Sequence, residues 1–259
     1  MTGGPLRIER AAGIAWCTFD RPPLNLLDPE AIAALRTAFV DLAADPSVRV
    51  AVIAGAGRAF TAGMNVRVLR DLDPDRARAL ITALRDAIEA VHTAPFPVIA
   101  AVHGACLGAG FELALACDMR VATPDAVLGL PEVRVGVPSV IHAALLPVLV
   151  GPGRAAEILL LGEPVTAADA LAWGLVNRVV PADTLNDAIR ELAERIIACA
   201  PSAIRLQKEL IIRWRPAELA RAVNAGIDAF ARAYATGEPR EAATAFLEKR
   251  TPVFGRRPS

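Results

Sequence analysis

Apolar positions follow two rhythms along this chain. Short β-like runs at residues 14–19, 48–53 and 98–102 alternate with longer segments in which apolar side chains recur every 3.6 residues, and this alternation predicts an α/β architecture. The first helix has clear start signals: Asp28 can cap, Pro29 suits the first helical position, and Ile32, Leu35, Phe39 and Leu42 share one face. A second begins in the same way at Asp73 and Pro74. Leu80, Leu84, Ile88 and Val91 form its stripe, and Pro95 and Pro97 stop it before the next strand. After Pro181 the strand-like runs cease. Leu185, Ile189, Leu192 and Ile196, then Leu219, Val223, Ile227, Phe230 and Tyr234, are spaced as helical faces, so the carboxyl end reads as a helical appendage.

One residue breaks the pattern. Glu112 is the only acid in the apolar run from Pro97 to Cys117, PVIAAVHGACLGAGFELALAC. Taking an ionised carboxylate out of water costs several kcal/mol, so a buried one must be paired, hydrogen-bonded or held protonated. A plain alternative is helix chemistry, an acid in a first turn complementing the positive end of the dipole. Glu132, in VLGLPEVRVG, is a second acid fixed beside a proline and flanked by apolar residues. Two carboxyls whose surroundings separate their pKa values can divide the acid and base roles of one reaction.

Composition narrows the field. The 259 residues are 54% hydrophobic and 22% charged, with 28 basic and 28 acidic side chains, enough for a large core and without the positive surplus that draws nucleic acid or anionic lipid. The first residues, MTGGPLRIERAAG, have neither an apolar signal core nor an amphipathic arginine-rich pattern, which leads us to expect a cytoplasmic protein. His103, Glu112 and three glycines interrupt the longest apolar run, so no membrane span is expected there. Cys17, Cys106, Cys117 and Cys199 form no CxxC pair and read as reduced core residues, with no metal site. His92 and His142 look isolated.

Two glycine loops stand near the acids: Gly55 to Asn65, GAGRAFTAGMN, and His103 to Glu112, HGACLGAGFE. In each a strand feeds a turn whose free N–H groups could hold developing negative charge, as an oxyanion hole does. Neither is a nucleotide loop. The first lacks a Lys-Ser or Lys-Thr ending, and the second has the spacing Gly-x-x-x-Gly-x-Gly.

Five ordered segments then carry a resemblance: AFTAGMN, HGACLGAGFELALACD, LGLPEVRVGVPS, LLLGEPVTAADALAWGLVNRVVP and AFLEKRTPVF. Together they resemble the crotonase superfamily, the enoyl-CoA hydratase/isomerase family, from about Ile8 to Phe254. The resemblance implies a crotonase-like (ClpP/crotonase) fold, a spiral of β-β-α turns over residues 1–195 that binds acyl-CoA, followed by a helical trimerisation region over 196–259. It also implies a homotrimer, or a hexamer made as a dimer of trimers, working in fatty acid metabolism on an acyl-CoA thioester. Nucleic acid and membrane are not expected partners.

For the site, the resemblance places the thioester oxygen between the backbone N–H groups of Met64 and Ala109, and a water between Glu112 and Glu132. Glu132 would exchange a proton with the α-carbon while Glu112 orients and deprotonates the water, giving a 3-hydroxyacyl-CoA from a 2-enoyl-CoA. No metal or redox cofactor is implied, coenzyme A being part of the substrate. By motif position the substrate contacts fall on Asn25, Leu26, Ala62, Gly63, Asn65, Val66, Gly108, Pro131, Ser139, Val140, Phe246 and Lys249. Ser139 and Val140, in a glycine-poor stretch (GVPSVIHAALLP), are expected to narrow the acyl pocket. Other readings remain open: an isomerase or hydrolase on the same scaffold, or a non-catalytic member that binds acyl-CoA, a partner protein or RNA.

Overall fold

The structure, a computed structural model, describes residues 4–199, 201–214, 227, 230–231, 233–235 and 237–252. Its larger sheet contains, in spatial order, β1 (Leu6–Ala11), β2 (Ile14–Phe19), β3 (Val50–Gly55), β5 (Val98–Val102), β7 (Met119–Ala122) and β10 (Arg178–Val179). The smaller contains β4 (Ala59–Thr61), β6 (Ala105–Leu107), β8 (Val127–Gly129) and β9 (Val165–Thr166). Among the described strand pairs, only β1–β2 and β8–β9 are antiparallel.

Each turn of the chain places one strand in each sheet, β3 then β4, β5 then β6, β7 then β8, before the helical part of that turn. That is the spiral of β-β-α turns expected from the sequence. The helices are α1 (Pro29–Ala44), α2 (Val66–Arg70), α3 (Pro74–His92), α4 (Ala109–Ala116), α5 (Leu146–Leu161) and α6 (Ala167–Ala172). After them come α7 (Leu185–Ile197), α8 (Pro201–Trp214) and α9 (Glu238–Leu247).

Local signals explain the long helices. The Asp28 carboxylate accepts from the Ala31 N–H at 2.9 Å, and Asp73 accepts from the Arg76 N–H at 2.8 Å, each satisfying a donor that the first helical turn leaves unpaired. The stripes Ile32, Leu35, Phe39 and Leu42 on α1 and Leu80, Leu84, Ile88 and Val91 on α3 are buried. Central strands are apolar at successive positions because both faces are covered. Ala51 and Ile53 enter the main core, while Val50 and Val52 meet Leu185, Ile189 and Ala193 of α7.

The carboxyl-terminal helices tie back to the spiral. Lys208 of α8 is buried and its Nζ bonds to Asp118, which also accepts from the Val98 N–H at 2.8 Å. Ile227, Phe230 and Tyr234 are buried in the main core, whereas Leu219 and Val223 lie outside the described residues. The stretch His142–Leu161 is apolar enough to cross a membrane by length and composition, with a mean hydropathy of 1.6. It is broken at Gly151 (φ 76°), followed by Pro152, and such an interruption leaves backbone polar groups that lipid cannot satisfy. Cys17, Cys106 and Cys117 are free and buried as expected. Cys199 is exposed near the end of α7, not a core residue.

Candidate active site

The smaller sheet delivers its strands to one cavity. Gly108 follows β6 directly and opens α4 with φ 54° and ψ −129°, a conformation open to glycine alone; a Cβ there would lie 2.6 Å from Oε1 of Glu132. Gly63 (φ 85°) plays the matching part in the β4 loop, where a Cβ would meet the Leu107 carbonyl oxygen at 2.6 Å. The two loops therefore touch through backbone.

This contact aligns two N–H groups. Gly63 and Asn65 exchange hydrogen bonds with Leu27, in a parallel bridge centred on Met64. The N–H of the residue between them points the other way. Ala109 is the first residue of α4, where an N–H has no intrahelical acceptor. Met64 and Ala109 both line a cavity of about 480 Å³, together with Glu112 and Glu132.

Glu112 occupies the first turn of α4 and is buried. Its Oε2 accepts from the N–H groups of Ile141 and Ala143, each at 3.1 Å, and its Oε1 accepts from Val140 N–H at 3.4 Å. Burial, then the charge of Glu132, push its carboxyl up from 4.5 to about 8, against the pull of those N–H donors. Glu132 stands in the 3-10 turn Pro131–Val135 at the cavity wall. Burial raises it to about 7, opposed by the Ser139 hydroxyl, which donates to its Oε2 at 2.8 Å. The charge of Glu132 thus adds to burial in disfavouring ionisation of Glu112.

The remaining expected contacts divide. Leu26, Ala62, Asn65, Val66, Gly108, Pro131 and Phe246 line the cavity. Asn25 does not. It is buried, its Nδ2 donates to the carbonyls of Ala56, Ala59 and Phe60, and its Oδ1 accepts from Arg21 N–H, so it braces the loop. Gly63 sits behind the cavity wall, accepting from Leu27. Ser139 and Val140 do not narrow the pocket: one hydroxyl holds Glu132, one N–H holds Glu112, and the valine side chain is core. Lys249 is exposed and outside the lining; among the described lining residues the cation is Arg67.

The sequence reading missed the apolar floor. Leu69, Ile81, Leu84, Val137 and Phe230 are part of the lining, and of these Leu84 belongs to the α3 stripe already recognised as core, with Ile81 buried on the same helix. Cys106 lies on β6, buried, its thiol pushed far up by desolvation, which leaves no thiolate for nucleophilic attack. His92 and His142 are not isolated; their rings meet at 5.3 Å.

Comparison with known proteins agrees with this geometry. The family model described as enoyl-CoA hydratase/isomerase matches residues 9–257. The chain is 34% identical to the crotonyl-CoA hydratase of Syntrophomonas wolfei over 95% of its own length and 96% of that protein. It is 31% identical to the short-chain-enoyl-CoA hydratase of Clostridium acetobutylicum, over 94% of each. Among solved structures, an enoyl-CoA hydratase from Mycobacterium avium subsp. paratuberculosis superposes with a TM-score of 0.88 at 31% identity, covering 97% of this chain and 99% of that one.

Proposed function

The chain belongs to the enoyl-CoA hydratase/isomerase family and has its crotonase fold, and we propose that it adds water across the 2,3 double bond of a 2-enoyl-CoA. The observation that carries this reading is the pair of carboxyls with raised pKa values on one apolar cavity, beside the Met64 and Ala109 N–H groups, which have no backbone acceptor among the described residues. An isomerase needs one acid-base group at the carbon chain. A hydratase needs two, one for the water and one for the α-carbon.

The reaction follows from the placement of charge. The thioester oxygen accepts from Met64 and Ala109 N–H, and these donors hold the enolate oxygen as the β-carbon is attacked; each such donor contributes about 3 to 4 kcal/mol to transition-state stabilisation. Glu112 takes a proton from the water whose oxygen bonds to the β-carbon. The π electrons move toward the thioester, and Glu132 delivers its proton to the α-carbon. The dyad ends with its proton on Glu112, the arrangement required for the reverse reaction. Both carboxyls are raised toward neutral pH in the free protein, so each can hold or release a proton and the site serves either direction. Water, thioester and two carboxyls balance the reaction without a metal or redox group.

The site reading extends to the substrate's far end. Arg67 at the rim suits a phosphate oxygen of the CoA nucleotide, and Phe246 offers an exposed apolar flap beside it. We place the protein in the cytoplasm, acting in fatty acid metabolism as a homotrimer or a dimer of trimers, without nucleic acid or membrane as partners. Leu160, Leu161 and Leu171, exposed on α5 and α6, supply apolar surface that association would cover. Light scattering on the eluted protein reads the mass of the assembly.

A panel of crotonyl-CoA and longer or branched 2-enoyl-CoAs tests the activity by the loss of conjugated thioester absorbance. Hydration predicts loss of that absorbance and a 3-hydroxyacyl-CoA product. Flat traces across the panel refute it.

A further inference from the structure

The mechanism uses none of a polar cluster that lies directly behind Glu112. His142 is fully buried; its Nε2 is 3.2 Å from Oε2 of Glu89, and its Nδ1 has no partner among the described residues. Its ring packs edge-on against His92, with 63° between the planes, and His92 Nδ1 lies 3.1 Å from the carbonyl oxygen of Ala116, the last residue of α4. Glu89 and His92 both come from α3.

Position makes this cluster more than packing. His142 lies between Ile141 and Ala143, the two residues whose N–H groups grip Oε2 of Glu112. Its backbone faces the active site and its side chain faces α3. A bond from Nε2 to Glu89 therefore fixes the segment that presents the donors, and hence where the carboxylate of Glu112 points. We propose that Glu89 and His142 are positioning residues, a tether that holds the 140–143 backbone against α3 so that Glu112 keeps the orientation that activates water.

The kinetic consequence rests on the hydration reading; the geometric one does not. The titratable groups facing this segment are Glu112 on α4, Glu132 on the 3-10 turn, and Glu89 and His92 on α3, with Arg85 acting on Glu89 from the preceding helical turn. The 140–143 N–H groups favour the charged form of Glu112. Releasing the tether loosens those donors, so the Glu112 carboxyl titrates at higher pH and less of it is ionised and aimed at the water near neutral pH.

Three variants and one double variant separate this from a structural role. His142→Phe keeps the ring and removes the bond; Glu89→Ala removes the acceptor at a side chain that is 48% exposed; Glu89→Gln keeps an acceptor oxygen. The readouts are kcat and KM for the best enoyl-CoA of the panel and the 13C titration of the Glu112 side-chain carboxyl. The tether predicts that His142→Phe and Glu89→Ala each lower kcat about ten- to a hundred-fold with KM nearly unchanged, and move the Glu112 midpoint upward. The double variant should do no more than either single one, and Glu89→Gln should recover most of the activity. An unchanged kcat and midpoint in Glu89→Ala, even with a lower melting temperature, overturns the proposal, as do additive effects in the double variant. Should His142→Phe not fold, the Glu89 pair decides alone. A wild-type protein inert toward every enoyl-CoA refutes the hydration reading, while the carboxyl titration still decides the tether.

Discussion

Replacing Glu112 with glutamine should make the protein more resistant to alkaline unfolding while abolishing its turnover. The argument is one of linkage. The side chain titrates near 4.5 when unfolded and near 8 when folded, because burial and Glu132 disfavour its charge. A raised folded value means that the native state binds the proton more tightly, so this residue's contribution is fully present below pH 4.5 and is lost progressively as the pH rises through 8. The separation of about 3.5 pH units corresponds to about 5 kcal/mol at 1.36 kcal/mol per unit, a large part of the 5 to 15 kcal/mol that typically holds a domain folded. Glutamine keeps an oxygen for the Ile141 and Ala143 N–H groups and cannot ionise, so it lacks this slope. Urea unfolding of both proteins at pH 5 and pH 9 measures it. The stability difference, variant minus wild type, should grow by several kcal/mol between the two values, whatever constant offset the amide introduces. Curves that stay parallel would refute the claim that Glu112 ionises inside a buried, like-charged site.

Three further outcomes follow from the same contacts. Ser139→Ala removes the hydroxyl that favours the Glu132 carboxylate, so the limb of the pH–kcat profile governed by Glu132 should move to higher pH and kcat should fall about ten-fold; an unmoved profile counts against that hydrogen bond. Gly108→Ala drives a Cβ into Oε1 of Glu132 at 2.6 Å and should cost about a hundred-fold in kcat, while Gly153→Ala, which meets nothing within 4 Å, should be silent in the same assay. Lys208→Met leaves the Asp118 carboxylate without its cation and should destabilise by about 3 to 5 kcal/mol in denaturant with KM unaltered; a smaller loss would show that α8 is held mainly by apolar contacts.

What the sequence disclosed is what local chemistry decides. The caps at Asp28 and Asp73 and the stripes of α1 and α3 act within a few residues, and β2 and β5 carry apolar runs long enough to read. By contrast β4, β6 and β8 are three residues each, too short for a period, and their pairing spans tens of residues. The two glutamates were legible because an acid in an apolar run needs a cause. Asn25 misled for the opposite reason: a polar side chain in a loop resembles a ligand contact until the carbonyls of residues 56–60 are seen to surround it. The Glu89–His142 contact links residues 53 apart on different elements, and no spacing rule announces it. Ser139, whose place in a motif implies a contact with the acyl chain, instead donates its hydroxyl to Glu132, a contact that no spacing in the sequence shows.

The most direct test of the two-carboxylate account is turnover of a 2-enoyl-CoA in 18O-labelled water, with mass analysis of the product. The account predicts one 18O atom on the β-carbon of a 3-hydroxyacyl-CoA from the wild-type protein, and loss of that product by orders of magnitude in Glu112→Gln and in Glu132→Gln, each still folded. Labelled product formed at the wild-type rate by either variant would contradict it.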